Sequence, residues 1–256
     1  MNCIVSGASS GIGKEICRYL VSKGHKVLAI ARREELLISL RESIQQEAEK
    51  SEIRDQKSEI GIFETESRPW SSAPAQLSIL KADLSLSSSI YDLNPILNDW
   101  GQVDLIINNA GALINKPFLE TTANEFIDQY QSNVITAVNL VHACDPYIKE
   151  GSHIVNISSM GGFQGSSKYP GLAAYSTAKG ALSILSECLA EEYKERGVSV
   201  NALALGAVQT DMLAAAFPGF DAGCSAEDMG KYIAEFALGS GRLISGKVIP
   251  VALGNP

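Results

Sequence analysis

Three glycines, Gly7, Gly11 and Gly13, stand between a short apolar run at residues 2–5 and an amphipathic stretch from about Ile12 to Lys23. A strand that enters a glycine turn and leaves as a helix restricts the fold sharply. The glycines let the backbone turn tightly, and the helix start presents free N–H groups and the positive end of its dipole to an anion. The context is that of a dinucleotide-binding turn, with the spacing G-x-x-x-G-x-G in place of G-x-G-x-x-G.

The rest of the chain repeats the alternation. Apolar runs at 2–5, 27–31, 77–81, 103–107, 152–157, 198–203 and 247–251 are predicted strands. Between them lie amphipathic stretches, among them about 123–145 and about 173–196, the latter ended by Gly197. Strands alternating with helices predict an α/β fold: one doubly wound Rossmann domain over residues 1–256, with a seven-stranded, mostly parallel sheet covered on both faces. One segment fits poorly. Residues 44–76 are polar and charge-mixed and longer than a crossover needs. The expectation is a solvated helix extension followed by a Pro/Ser loop around Pro69–Pro74, away from the ligand crevice and without chemistry.

Composition narrows the function. The net charge of -8 argues against a nucleic-acid partner, which asks for a basic face. Five scattered cysteines without a Cys-x-x-Cys suit reduced thiols, and three histidines lack metal-ligand spacing, so no metal is expected. No apolar run is long enough to span a bilayer and no charged-then-apolar leader is visible. These features predict a cytoplasmic protein with no membrane partner.

Residues after the strands carry the chemistry. Ala31-Arg32-Arg33 follows the second strand. An acidic residue there would select NAD through the ribose hydroxyl; a neutral alanine and a guanidinium fork suit the 2′-phosphate of NADP(H). Asp83, before Leu84, is read either as an acceptor for the adenine amino group or as a helix N-cap. Asn108-Asn109-Ala110-Gly111 ends the fourth strand on the crevice side, where backbone can approach a ligand. Tyr175 and Lys179 share a helix face at i, i+4. An ammonium beside the phenol is expected to lower its pKa from about 10 and to make it a proton donor and acceptor near neutral pH.

These motifs together resemble the short-chain dehydrogenase/reductase family. The matches are Ser6-Gly-Ala-Ser-Ser-Gly-Ile-Gly13, Asn108-Asn-Ala-Gly111, Ser132-Asn133-Val134, Ile154-Val-Asn-Ile-Ser-Ser159, Tyr175-x-x-x-Lys179 and Asn201 through Thr210, in family order over nearly the whole chain. The resemblance implies a catalytic tetrad. Tyr175 would be the general acid, Lys179 would lower its pKa and hold the nicotinamide ribose, Ser159 would bond the substrate oxygen, and Asn133 would hold a helix kink and a water. Cofactor contacts are expected from Gly7, Ser9, Ser10, Gly11, Ile12, Gly13, Arg32, Arg33, Asp83, Leu84, Asn109, Ala110, Gly111, Tyr175, Lys179, Gly206, Val208 and Thr210. Ser158 is the rival of Ser159, which precedes the Met160-Gly161-Gly162 turn.

Two features depart from the family pattern. Gln164-Gly-Ser-Ser-Lys168 swells the loop between Ser159 and Tyr175, and Leu205-Gly206 stands where the family has Pro-Gly. A segment at about 211–228 should cover the substrate; its apolar part, Met212 to Phe220, has no Arg or Lys, which suits a neutral carbonyl compound. The expected activity is NADP(H)-dependent interconversion of a carbonyl compound and its alcohol. The alternatives are a catalytically silent dinucleotide-binding protein and a reductase of carrier-bound 3-oxoacyl groups. The family likeness also implies a homotetramer or homodimer, with Leu185, Leu189 and Tyr193 as candidate apolar surface.

Overall fold

The computed structural model describes residues 1–58 and 76–253. The strands are β1 (Asn2–Ser6), β2 (Lys26–Ala31), β3 (Gln76–Lys81), β4 (Val103–Asn108), β5 (Ile148–Ser159), β6 (Ser199–Leu205) and β7 (Lys247–Val251). The α-helices are α1 (Gly11–Ser22), α2 (Glu34–Ser58), α3 (Asn94–Trp100), α4 (Ala123–Tyr130), α5 (Thr136–Cys144), α6 (Ala173–Glu192), α7 (Asp211–Ala216) and α8 (Ala226–Leu238). All seven strands form one parallel sheet in the order β3-β2-β1-β4-β5-β6-β7.

The two-residue period of the strands builds both cores. In β1, Cys3 and Val5 face Ile16 and Leu20 of α1, Leu37 and Leu40 of α2 and Ile233 of α8. Ile4, between them, faces Leu97 of α3, Leu140 of α5 and Ala190 of α6. A strand buried on both sides must be apolar throughout, so these strands read as unbroken runs. The strand order reverses between β1 and β4. That places a crevice at the carboxyl ends of these two strands, between the loops that follow them.

Several expectations change in detail. The helix read at 123–145 is interrupted: a π-turn, Gln131–Ile135, separates α4 from α5. The polar segment begins, as expected, as a helix extension, since α2 runs on to Ser58 with Ile44 still in the core. The Pro/Ser loop at 69–74 lies outside the described residues. Leu189 and Tyr193 do not supply an outer apolar face. Both turn toward the core, and the Tyr193 hydroxyl donates to Asp145 at 2.7 Å. The exposed apolar side chains nearby are Ile127, Tyr130 and Ile184. No helix among the described residues is long and apolar enough to cross a membrane, and no cluster there could hold a metal ion.

His153, fully buried in β5, has a structural consequence. Its Nδ1–H donates to Ala237 O at 3.0 Å, and its Nε2 accepts from Asn201 Nδ2 at 3.0 Å. Burial holds its pKa down at about 4. The unfolded chain, with a histidine pKa near 6.5, therefore binds more protons between pH 6.5 and 4, and stability must fall as pH drops through that window. The loss should approach about 3 kcal/mol. Denaturant titrations at pH 7 and 4.5, with the ring followed by NMR, measure it. A His153 ring titrating near pH 6.5 in the folded protein would contradict this.

Candidate active site

The glycine turn is packed as its sequence suggests. Gly7 has φ +67°, and a Cβ there would lie 2.8 Å from Ala110 Cα. A Cβ on Gly13 would lie 2.4 Å from both Gly7 O and Asn109 Nδ2. The turn thus presses directly on the loop after β4. Ser6 and Asn109 staple the two: the Asn109 and Ala110 amides donate to Ser6 Oγ at 3.1 and 3.0 Å, and Asn109 Nδ2 reaches the Ser6 and Gly7 carbonyls at 3.2 Å. The Asn109 side chain is therefore occupied within the protein.

Ser10 stands at the N-cap of α1 in extended conformation, and its hydroxyl caps no helix N–H. The first-turn amides of α1 keep no side-chain partner and face the crevice side of the turn. An open helix start beside glycines too crowded to carry a side chain fits a pyrophosphate. Arg33 lies against the same turn. Its Nη2 donates to Ser9 Oγ at 3.1 Å and Ser10 Oγ at 2.7 Å. Arg33, rather than the Arg32 fork expected to meet the 2′-phosphate, is drawn to the glycine turn. Arg32 is exposed, and its charge helps lower the pKa of Asp83. Asp83 is not a helix N-cap. Its carboxylate accepts from the Ser85 amide at 3.0 Å and hydroxyl at 2.7 Å, closing a local turn. The neighbouring Leu84 is buried, with its carbonyl bonded to Asn139 Nδ2.

Four side chains from three elements meet beyond β4 and β5. Asn133 sits in the π-turn, which rotates it inward. Its Nδ2 donates to Ala112 O at 2.9 Å and Gln129 O at 2.8 Å, and its Oδ1 is buried without a partner. Lys179, 4% exposed, donates to Ile157 O at 2.8 Å. A Cβ on Gly111 would meet Asn133 Oδ1 at 2.5 Å and Lys179 Nζ at 3.3 Å, so both atoms converge on one small space. Tyr175 neighbours Ser159, whose Oγ accepts from the Gly161 amide at 3.2 Å, and Lys179 Nζ lies 5.9 Å from the Tyr175 ring centroid.

The electrostatics overturn one expectation. The Tyr175 pKa is raised, not lowered: burial of the phenol dominates and the nearby Ser159 hydroxyl offsets it only in part. The ammonium that was to lower it is turned to a backbone carbonyl and is itself pushed down to about 8 by burial. Ser158, the rival serine, is buried and bonded to Lys179 O at 2.9 Å and Ser183 Oγ at 2.8 Å. It ties α6 to β5, whereas Ser159 keeps an open edge.

The loop after β6 packs against the end of β7 and the glycine turn. Gly206 leaves no room for a side chain against Ala252, Val208 is buried, and Thr210 caps α7 by accepting from the Leu213 amide at 3.2 Å. A cavity of about 750 Å³ opens beside the turn Gly161–Gly162, lined by Phe118, Phe163, Tyr169, Leu172 and Ser176. Ser159 and Tyr175 do not line it, so it adjoins the chemical centre without containing it. Sequence reasoning missed the buried chain beneath the site. Asn108 Nδ2 donates to Asn156 Oδ1 at 2.7 Å, and Asn156 Nδ2 to Ser186 Oγ at 2.8 Å. Polar residues inside apolar strands were its only signal.

Comparison with known proteins identifies the family and the fold. The family model for short chain dehydrogenases matches residues 2–59 and 69–219. The chain is 29% identical to the NADPH-dependent pterin aldehyde reductase of Arabidopsis thaliana, over 84% of this chain and 77% of that protein. It is 28% identical to the NADPH carbonyl reductase 2 of Sus scrofa, over 83% of this chain and 73% of the other. In fold it is similar to a short chain dehydrogenase from Burkholderia cenocepacia solved in complex with NADP. The TM-score is 0.79 at 20% identity, covering 99% of this chain and 96% of that one. With most of its length matched by the family model, the chain belongs to the short chain dehydrogenase family.

Proposed function

We propose that this protein is an NADP(H)-dependent oxidoreductase that interconverts a carbonyl compound and its alcohol. The observation that carries the reading is the Tyr175–Ser159 pair, with Lys179 and Asn133 beside it, at the carboxyl edge of the sheet next to the glycine turn. The nicotinamide, when bound, supplies or accepts the hydride. The chain's own residues do the rest. Ser159 Oγ and Tyr175 Oη donate to the carbonyl oxygen and stabilise the charge that grows there. Tyr175, a phenol protonated at neutral pH, gives up its proton to that oxygen. Lys179 Nζ, 5.9 Å from the Tyr175 ring, turns from Ile157 O to stabilise the phenolate left behind and to bind the nicotinamide ribose. The unpaired Asn133 Oδ1 has room for one more polar partner, which suits a water on the proton path.

In the same reading Gly7, Gly11, Ile12 and Gly13 cradle the pyrophosphate. Arg32 and Arg33, with Ser9 and Ser10, take the 2′-phosphate. The two named relatives that use NADPH support this choice. The absence of Arg and Lys from Met212 to Phe220 favours a neutral carbonyl substrate.

A panel of neutral aldehydes and ketones, followed by loss of reduced-nicotinamide absorbance, tests the reading. NADPH should be consumed faster than NADH. The double substitution Arg32→Ala/Arg33→Ala should weaken NADPH by roughly 1.5–3 kcal/mol for each charged bond lost and leave NADH within a few-fold. Preference of the parent for NADH would remove the NADP assignment.

A further inference from the structure

The segment α7 crosses the crevice and is held at its two ends by different loops. At its start, Thr210 leans on the glycine turn: a Cβ built on Gly11 would lie 3.2 Å from Thr210 Cγ2. At its end, the Ala216 carbonyl has no intrahelical partner and accepts instead from Asn115 Nδ2 at 2.8 Å. Asn115 belongs to the loop after β4, a hundred residues away in sequence and outside every motif that pointed to function.

Asn115 also engages a third loop, the one before α6. Its Oδ1 occupies the space over Gly171, where a Cβ would lie 2.0 Å away, and Gly171 has φ +84°. Only glycine leaves that space open. The next amide, Lys116 N, donates to Gly171 O at 2.9 Å. Lys116 Nζ pairs with Glu125 at 2.9 Å, which anchors the loop to the start of α4. The three loops that border the crevice thus meet at one side chain. Nothing else fixes α7 firmly, because none of its residues is buried. Its apolar residues, Met212 among them, are not spent on the core.

We propose that Asn115 is a positioning residue that clasps α7 shut across the crevice, and that release of its single bond to Ala216 admits the carbonyl compound and discharges the alcohol. The proposal rests on the oxidoreductase reading above. A hydrogen bond open to solvent is worth little net, so the clasp shifts the closed-to-open ratio by roughly two- to tenfold. That range suits a gate: a much stronger bond would trap product, and a much weaker one would not hold the substrate near Tyr175 and Ser159.

Two variants test it. Asn115→Ala removes the side chain, and Asn115→Asp keeps its size but replaces the donor with a carboxylate that repels the Ala216 carbonyl. Hydrogen exchange on the chain without cofactor reads the Ala214 and Phe217 amides, which bond within α7 to Thr210 and Leu213. Both variants should speed exchange there roughly two- to tenfold and leave β1 and β4 unchanged. With NADPH and a carbonyl compound that the parent reduces, KM should rise by a similar factor while kcat holds or increases. Unchanged exchange at Ala214 and Phe217 in both variants overturns the clasp. So does faster exchange accompanied by a fall in kcat at constant KM. If the parent reduces no carbonyl compound, the oxidoreductase reading fails, while the exchange comparison still decides whether Asn115 holds α7.

Discussion

Tyr175→Phe is expected to lower turnover by at least about 10²–10⁴-fold, the range for losing a general acid. The ring and its packing survive the change, because only the hydroxyl is removed. NADPH affinity should stay within a few-fold of the parent, since the glycine turn and the Arg32–Arg33 pair are untouched. Ser159 cannot replace the lost donor: its hydroxyl can bond the substrate oxygen but has no basic partner to relay a proton, whereas Tyr175 lies next to Lys179. Steady-state kinetics on an accepted carbonyl compound, with cofactor titration alongside, separates the two effects. Turnover within a few-fold of the parent, with NADPH still bound, would require another proton source and would dismantle the assigned tetrad. The raised pKa adds a direction to this expectation. A phenol that stays protonated at neutral pH is ready to donate, so reduction should need no alkaline pH.

Gly13→Ala should damage both the fold and cofactor binding. Alanine is the better helix former by about 1 kcal/mol, and position 13 lies within α1. The contact geometry outweighs that gain. The new Cβ would meet Gly7 O and Asn109 Nδ2 at 2.4 Å each, and the first of these is backbone that cannot rotate away. Relief requires α1 to move off the loop after β4. Overpacking of this kind costs roughly 1–3 kcal/mol, and in a protein of this size each kcal/mol lowers Tm by about 2–4 °C. Cofactor affinity should fall at least about tenfold, or about 1.4 kcal/mol, because the same movement displaces the amides that face the pyrophosphate. A higher Tm for the variant would show that helix propensity dominates and that the contact is looser than described.

Much of this arrangement was legible in the chain itself. The strands were readable because burial on two faces demands uninterrupted apolar runs, as in Ile4-Val5 and Leu105-Ile106-Ile107. The glycine turn was readable because Gly7 and Gly13 stand where a side chain has no room. The inward-facing Tyr175 and Lys179 were readable from the helical period. The surface reading of α6 failed for a local reason. Leu189 and Tyr193 fall on a helix whose apolar stripe is wide, and periodicity alone does not say which edge of a stripe meets the core. The interruption of the helix at Asn133 leaves no mark in hydropathy, and it was only the likeness to the family that implied a kink there.

Ser159 and Asn133 were named only through the likeness to the family, whereas the local rules of strand, turn and helix were enough to specify a parallel α/β sheet, a glycine turn opening on a helix start and the shared face of Tyr175 and Lys179. Those are consequences of short-range sterics and of side-chain period, which act within a few residues. The direction of the Tyr175 pKa, the choice of Arg33 over Arg32 at the turn, the internal bonding of Ser158 and the clasp at Asn115 depend on contacts between segments far apart in sequence. A pKa is set by how much water burial removes and by where a charge actually points, and Lys179 points at Ile157 O rather than at the phenol. No pattern along the chain encodes that balance, because it exists only once β5, α6 and the loops above them are packed together.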